Sequence, residues 1–159
     1  MGSEMCIRDR QKTMSEINQA HPDVRAVISV NKGLVTQASA AIPVVPLYFA
    51  ILYKVMKRAG NHENCIQQIA RLFTQKLYTP TGFQTDENGF IRMDDYELTP
   101  EIQEEVKKCW KAVTTDTVKE YCDIDGYWED FYHMFGFRYE DIDYTQDVDA
   151  DIEIDGVVM

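Results

Sequence analysis

Residues 24–36 have the sequence VRAVISVNKGLVT, and this stretch decides the fold. Val24 to Val30 is short and rich in β-branched side chains, which is typical of a buried parallel strand. Asn31, Lys32 and Gly33 supply turn residues at the carboxyl end of that strand. Only helical patterns follow. The sequence therefore predicts an α/β fold that is mostly helical here, with one parallel core strand near residues 24–30 that has no partner strand of its own.

Leu34, Val35 and Thr36 lie directly beyond the predicted strand end. Ligands of open parallel sheets bind outside the carboxyl ends of the strands, so this is the best candidate site. Its backbone N–H and C=O groups could pair with a carboxamide, and the Thr36 hydroxyl could reach a phosphate. On spacing alone, a purely structural turn is the more common explanation.

The remaining segments have helical patterns. The strongest begins near Pro46, where proline suits a first helical turn, and ends at Gly60-Asn61 with an apolar stripe of Leu47, Ile51, Val55 and Ala59. A second pattern from His62 to Tyr78 predicts one apolar face of Ile66, Ile69, Ala70, Phe73 and Leu77. Lys12 to Gln19 is predicted to be the end of a helix, and another helix is predicted to begin at Thr99-Pro100 with Thr99 as its cap. Thr115 is predicted to cap a short helix that ends at Cys122, and a last helix is predicted at Gly126–Phe135.

The charge of the chain is concentrated near its end. Of the formal net charge of -11 over 159 residues, all is carried between Asp123 and Asp155, which contain twelve acidic side chains and one basic one. Because nucleic acids and anionic membrane surfaces repel so acidic a chain, binding to either is not expected. The uncharged run Ala38–Tyr53 is also shorter than the roughly 20 residues of a membrane span, and prolines interrupt it.

The first residues look foreign to the rest. Gly2 to Arg10 resemble one reading frame of a sequencing-library adaptor, and such segments are left out of fold reasoning. The expected organisation is a non-native leader at residues 1–10, a main region at 11–149 and an acidic tail at 150–159. Cys65, Cys109 and Cys122 without a signal peptide favour a reducing cytoplasm.

Other arrangements of reactive side chains are weak. His62 and Cys65 have the spacing of metal ligands, but no second pair completes a site. The acidic residues from Asp151 to Asp155 resemble the start of a calcium loop but lack its twelfth position. No metal is therefore expected. No phosphate-binding glycine motif is present. Tyr53 and Lys57, four apart on one helix, have the spacing by which a lysine activates a catalytic tyrosine, and Tyr48 and Lys57 fit a related spacing. An apolar setting makes both tyrosines candidate core residues instead.

Longer runs give a family resemblance. Residues 30–48, VNKGLVTQASAAIPVVPLY, closely resemble the trans-2-enoyl-CoA reductases, also known as FabV-type enoyl-acyl-carrier-protein reductases. The runs KVMK at 54–57, GNHENCI at 60–66 and IRMDDYEL at 91–98 continue the match, as do Gly126-Tyr127 and Phe135-Gly136-Phe137. In order, these runs extend from about Lys12 to Asp149.

The resemblance implies a short-chain-dehydrogenase-like Rossmann fold and NADH-dependent reduction of the trans-2 double bond of enoyl-CoA or enoyl-acyl-carrier-protein thioesters in fatty acid synthesis. It implies that Leu34, Val35 and Thr36 bind the nicotinamide side of the cofactor and that Ala38–Ile51 helps to wall the acyl pocket. The family's catalytic tyrosine and lysine match no residue here, so no catalytic residue is assigned and Tyr48, Tyr53 and Lys57 are set aside. Family members act mostly as monomers. The resemblance also implies that residues 11–149 are the C-terminal part of an enoyl reductase catalytic domain. This chain is expected to be inactive alone, and its choice of NADH over NADPH stays open.

The alternative is a free-standing helical interaction module, with the apolar residues from Leu34 to Tyr53 as its partner surface. A stable, cooperatively folding monomer of this length would support that alternative. In the enzyme hypothesis, the apolar run Ile42–Tyr53 and an exposed strand edge predict that the isolated chain binds hydrophobic dyes or aggregates.

Overall fold

The computed structural model describes the backbone of residues 2–147 and the side chains of residues 8–147. Helices dominate, and a small two-stranded sheet joins them. The elements are α1 (Gly2–Ala20), β1 (Ile28–Val30), α2 (Gln37–Ala41), α3 (Val45–Ala59), α4 (Cys65–Arg71), a π-helical turn (Leu72–Leu77), β2 (Phe90–Arg92), α5 (Pro100–Ala112), α6 (Val118–Tyr121) and α7 (Ile124–His133). The leader boundary predicted at residue 10 falls inside α1 and stays a prediction, and the tail at 150–159 lies outside the described residues.

The expectation that the first strand has no partner was wrong. β1 pairs in parallel with β2, with Ser29 opposite Ile91. The sequence does not reveal β2, because a strand of three residues is too short to show a clear alternation of apolar and polar side chains. Its central residue, Ile91, is fully buried. β1 is also shorter than the predicted strand: Val24 is exposed, and the Asn18 side chain exchanges hydrogen bonds with the backbone of Ala26.

Helix α3 forms the centre of the core, as predicted. Pro46 lies in its first turn, and Gly60 ends it in the left-handed conformation (φ 73°) that favours glycine. The buried surface is wider than one stripe, because both α5 and α7 pack against α3. The fully buried side chains of this helix are Ile51, Leu52, Tyr53 and Met56. Ala59, predicted in the stripe, is exposed.

The helical segment after Asn61 differs from its prediction in position and orientation. α4 begins at Cys65, where Asn64 and Gln67 form a reciprocal capping box, and a π-helical turn replaces regular helix after Arg71. Ile66, Ile69 and Phe73, predicted to face the core, are instead exposed. Gln68 and Arg71 are buried in their place, because Arg71 forms ion pairs that hold this polar side against the body.

The later helices lie close to their predicted positions. Pro100 occupies the first turn of α5 after Thr99, and Ile102, Val106 and Cys109 are buried. α6 begins at Val118, three residues after the predicted cap, because Thr117 takes the cap position. α7 begins at Ile124, where the Asp123 carboxylate accepts a hydrogen bond from the Gly126 N–H.

Candidate functional site

The predicted site residues form the connection between β1 and α2. Leu34 is half-buried, Val35 is buried and Thr36 is exposed. Thr36 caps α2: its hydroxyl accepts a hydrogen bond from the Ser39 N–H, and the Thr36 N–H donates to the Ser39 hydroxyl at 2.8 Å. This capping box fixes the loop without a ligand.

Val35 is tied to the centre of the core. Its N–H donates to the Tyr53 hydroxyl at 2.9 Å, so this donor is not free for a carboxamide. Among the described residues, the Leu34 N–H and the Val35 carbonyl find no hydrogen-bond partner. Residues Leu34–Thr36 therefore present one unpaired backbone donor and one unpaired backbone acceptor, which is the pair that a carboxamide requires.

A buried carboxylate holds the start of the same loop. The Glu97 side chain, in the turn between β2 and α5, accepts hydrogen bonds from the Gly33 N–H at 2.5 Å and from the Tyr48 hydroxyl at 2.8 Å. Burial and the hydrogen bond to Glu97 raise the pKa of Tyr48 to about 12. Two core residues, Glu97 and Tyr53, thus fix successive parts of the loop.

Lys32 is the third buried polar residue beside the loop and is only 3% exposed. Its ammonium donates to the Gly33 carbonyl at 3.2 Å and lies 4.9 Å from the centre of the Tyr53 ring. Burial lowers the pKa of Lys32 to about 8, although the negative charges of Glu97, Asp130 and Glu63 oppose that shift. The loop therefore has a positive charge behind it that little solvent screens.

Tyr53 and Lys57 do not form the catalytic pair that their spacing suggests. Tyr53 bonds to Val35, and burial raises its pKa, which is the opposite of what a proton-donating tyrosine needs. Lys57 instead pairs with Asp123 at 2.7 Å, next to the start of α7. Tyr48 is likewise engaged by Glu97.

His62 and Cys65, the weak metal candidate of the sequence, have different contacts. Nε2 of His62 lies 3.1 Å from the Asp130 carboxylate, while Cys65 begins α4 as a free thiol. Within residues 8–147 no group of three or more His, Cys, Asp or Glu side chains could hold a metal ion. In the described part of the chain, no helix combines the length and apolar character needed to cross a membrane.

An apolar groove of about 580 Å³ lies between the start of α3 and α5. Tyr48 and Trp110 form its walls, with ring centres 6.5 Å apart, and Lys107 is at its edge. Tyr48 belongs to the segment predicted to wall the acyl pocket, and through Glu97 it connects this groove to Gly33.

Sequence reasoning missed Glu97, Lys32 and the role of Tyr53. Glu97 lies 64 residues from Gly33 in sequence, and no periodic pattern connects them. Only the resemblance of the run at 91–98 marked this region, without assigning a role to any of its residues.

Comparisons with known proteins show which proteins the chain is similar to. The family model described as "Trans-2-enoyl-CoA reductase catalytic region" matches residues 5–78, and that described as "Enoyl reductase FAD binding domain" matches residues 85–148. An enoyl-[acyl-carrier-protein] reductase [NADH] of Flavobacterium psychrophilum is 47% identical over 134 residues, covering 84% of this chain and 34% of the relative. A trans-2-enoyl-CoA reductase [NADH] of Ruminiclostridium cellulolyticum is 45% identical over 151 residues, covering 94% of this chain and 38% of the relative.

A solved structure has the same fold. The trans-2-enoyl-CoA reductase of Treponema denticola in complex with NAD superposes with a TM-score of 0.79 at 46% identity, covering 87% of this chain and 35% of that one. The chain thus spans about a third of the length of the relatives that it matches.

The residues at 85–148 do not fit the flavin named in one family description. They include eighteen acidic and six basic side chains, which opposes binding of a diphosphate. The space beside Gly126, at the start of α7, is filled by the Lys57 ammonium and the Asp123 carboxylate. A cavity of about 330 Å³ in this region is lined by Asp125, Trp128, Tyr132 and Arg138 and offers only one basic group.

Proposed function

Because the chain belongs to the trans-2-enoyl-CoA reductase family, we propose that it is the part of an NADH-dependent enoyl-thioester reductase that holds the nicotinamide. The reaction is reduction of the trans-2 double bond of enoyl-CoA or enoyl-acyl-carrier-protein in cytoplasmic fatty acid synthesis. The two parallel strands would belong to a larger Rossmann-type sheet, with the loop at its carboxyl edge.

The observation that carries this proposal is the preformed loop at Leu34–Thr36. Its Leu34 N–H and Val35 carbonyl are the unpaired backbone groups for the carboxamide, and Thr36 is an exposed residue whose hydroxyl could contact a phosphate. NADH supplies the hydride when bound. The residues of this chain orient the nicotinamide face and exclude water behind it, which is positioning work rather than proton transfer.

The alternative of a free-standing interaction module has less support. It predicts the apolar residues from Leu34 to Tyr53 as a partner surface, but Ile51, Leu52 and Tyr53 are fully buried. The apolar side chains exposed on α4 lie elsewhere in the chain.

The test uses a chimaera in which this chain replaces the matching third of the Treponema denticola enzyme. We expect the chimaera to reduce crotonyl-CoA with NADH. Thr36→Val should raise the KM for NADH by about tenfold, because it removes both the proposed phosphate contact and the cap of α2, while Thr36→Ser retains the hydroxyl for both and should match the parent. A folded chimaera without activity contradicts the function. An active chimaera in which both variants match the parent contradicts the role of Thr36.

A further inference from the structure

We propose that Glu97 is a positioning residue for the nicotinamide loop, acting through the Gly33 N–H. This inference rests on the proposed function. Glu97 does not belong to the loop, and it lies within the residues matched by the second family model, whereas the loop lies within the first. One carboxylate thus joins the two regions at the candidate site.

The geometry explains why this position needs a carboxylate. Glu97 is only 8% exposed and receives two donors, the Gly33 N–H on Oε2 and the Tyr48 hydroxyl on Oε1. Both oxygens of an ionised carboxyl group accept, so both donors are satisfied. A glutamine at this position has one carbonyl oxygen, and its amide hydrogens would face the second donor.

Gly33 transmits this contact to the loop because it has little freedom to move. A Cβ atom on Gly33 would lie 2.6 Å from the Phe49 ring, so the backbone packs directly against α3. The Glu97 carboxylate holds the other side, at the N–H. The next residue, Leu34, carries the free N–H proposed for the carboxamide, so a shift of Gly33 displaces that donor.

The supports of the loop differ in kind. Tyr53 holds the Val35 N–H from within the core, whereas Glu97 also holds Tyr48, which lines the groove between α3 and α5. A molecule bound in that groove can therefore affect the cofactor loop through the hydrogen bonds that Tyr48 and Gly33 donate to Glu97. Lys32 is the basic group whose charge attracts Glu97.

The first test measures amide hydrogen exchange in the full 159-residue chain and does not depend on activity. Glu97→Gln should speed exchange of the Gly33 N–H by about tenfold, with exchange in α3 unchanged. Glu101→Gln removes an exposed carboxylate four residues away on α5 and should leave Gly33 unaffected. If Glu97→Gln prevents folding, Tyr48→Phe supplies the same test with an expected increase of about threefold. Unchanged exchange of Gly33 in the folded variant overturns the proposal.

The second test uses the chimaera. Glu97→Gln should raise the KM for NADH by about tenfold and lower kcat. Because Glu97 also holds Tyr48, the KM for crotonyl-CoA should rise too, but by less than the KM for NADH. A purely structural role would alter the melting temperature without this separation of the two KM values. An inactive parent chimaera counts against the proposed function, and the exchange result then still decides whether Glu97 holds the loop. If the parent chimaera is active and its Glu97→Gln variant has the same KM for NADH, the inference is overturned.

Discussion

Buried charged groups have different roles in two segments of the chain, the loop at residues 32–36 and the helical segment at residues 62–77. Beside the loop, Glu97 and Tyr53 accept backbone N–H groups and leave the Leu34 N–H and the Val35 carbonyl without partners in the described chain. In the helical segment, Arg71 contacts Glu63 at 2.6 Å and Asp95 at 3.0 Å and donates to the Met93 carbonyl, so protein groups occupy it. We propose that the first arrangement prepares backbone groups for a ligand, whereas the second anchors a helix.

The largest effect expected from this comparison is at Arg71. Its side chain is 5% exposed, so Arg71→Met should lower the free energy of unfolding by about 4 kcal/mol, because it leaves the Glu63 and Asp95 carboxylates without their buried partner. Urea denaturation checks this. The exposed Arg58 provides the control Arg58→Met, with an expected change below about 0.5 kcal/mol. Equal losses in both variants would mean that Arg71 is not the anchor of α4.

A smaller effect, dependent on pH, is expected at Lys32. The pKa of this residue is about 8 in the folded chain, against 10.5 in the unfolded one, so between these values the unfolded chain binds more protons. The cost of burying the charge is therefore fully present below about pH 8 and decreases as the pH rises towards 10.5. The stability of Lys32→Met relative to the parent should fall by about 2 kcal/mol between about pH 7 and about pH 10.

The matched control for Lys32 is the exposed Lys119. The titrations of the buried thiols of Cys109 and Cys122, whose pKa values burial raises, are common to all of these proteins and cancel in the difference. If the stability of Lys32→Met relative to the parent changes as little with pH as that of Lys119→Met, the result would contradict a buried, charged Lys32.

These contacts also explain what could be predicted from the sequence. The position of the loop follows from local signals, the β-branched run before it and the turn residues at Asn31–Gly33, and the ends of α3 follow from Pro46 and Gly60. The orientation of α4 does not, because Arg71 and Asp95 lie 24 residues apart in sequence and their pairing outweighs an apolar pattern. For the same reason, no local signal connects Gly33 with Glu97.

The smallest effect is expected on the exposed face of α4. Ile69 is 51% exposed, so Ile69→Ala should change the free energy of unfolding by less than about 0.5 kcal/mol. The matched substitution Ile51→Ala removes a fully buried side chain of α3 and should cost about 3 kcal/mol. Denaturant unfolding of the two variants measures the difference. Similar losses would indicate that Ile69 is packed and that α4 has the orientation its apolar pattern predicted.

We propose that this chain holds the nicotinamide of NADH for reduction of an enoyl thioester. The transfer of deuterium from NADH labelled at nicotinamide C4 to crotonyl-CoA by the chimaera, followed by mass spectrometry, tests this role. We expect one deuterium at the β-carbon of the saturated product, formed more slowly in the Thr36→Val variant at low NADH concentration. A folded chimaera that transfers no deuterium would contradict it.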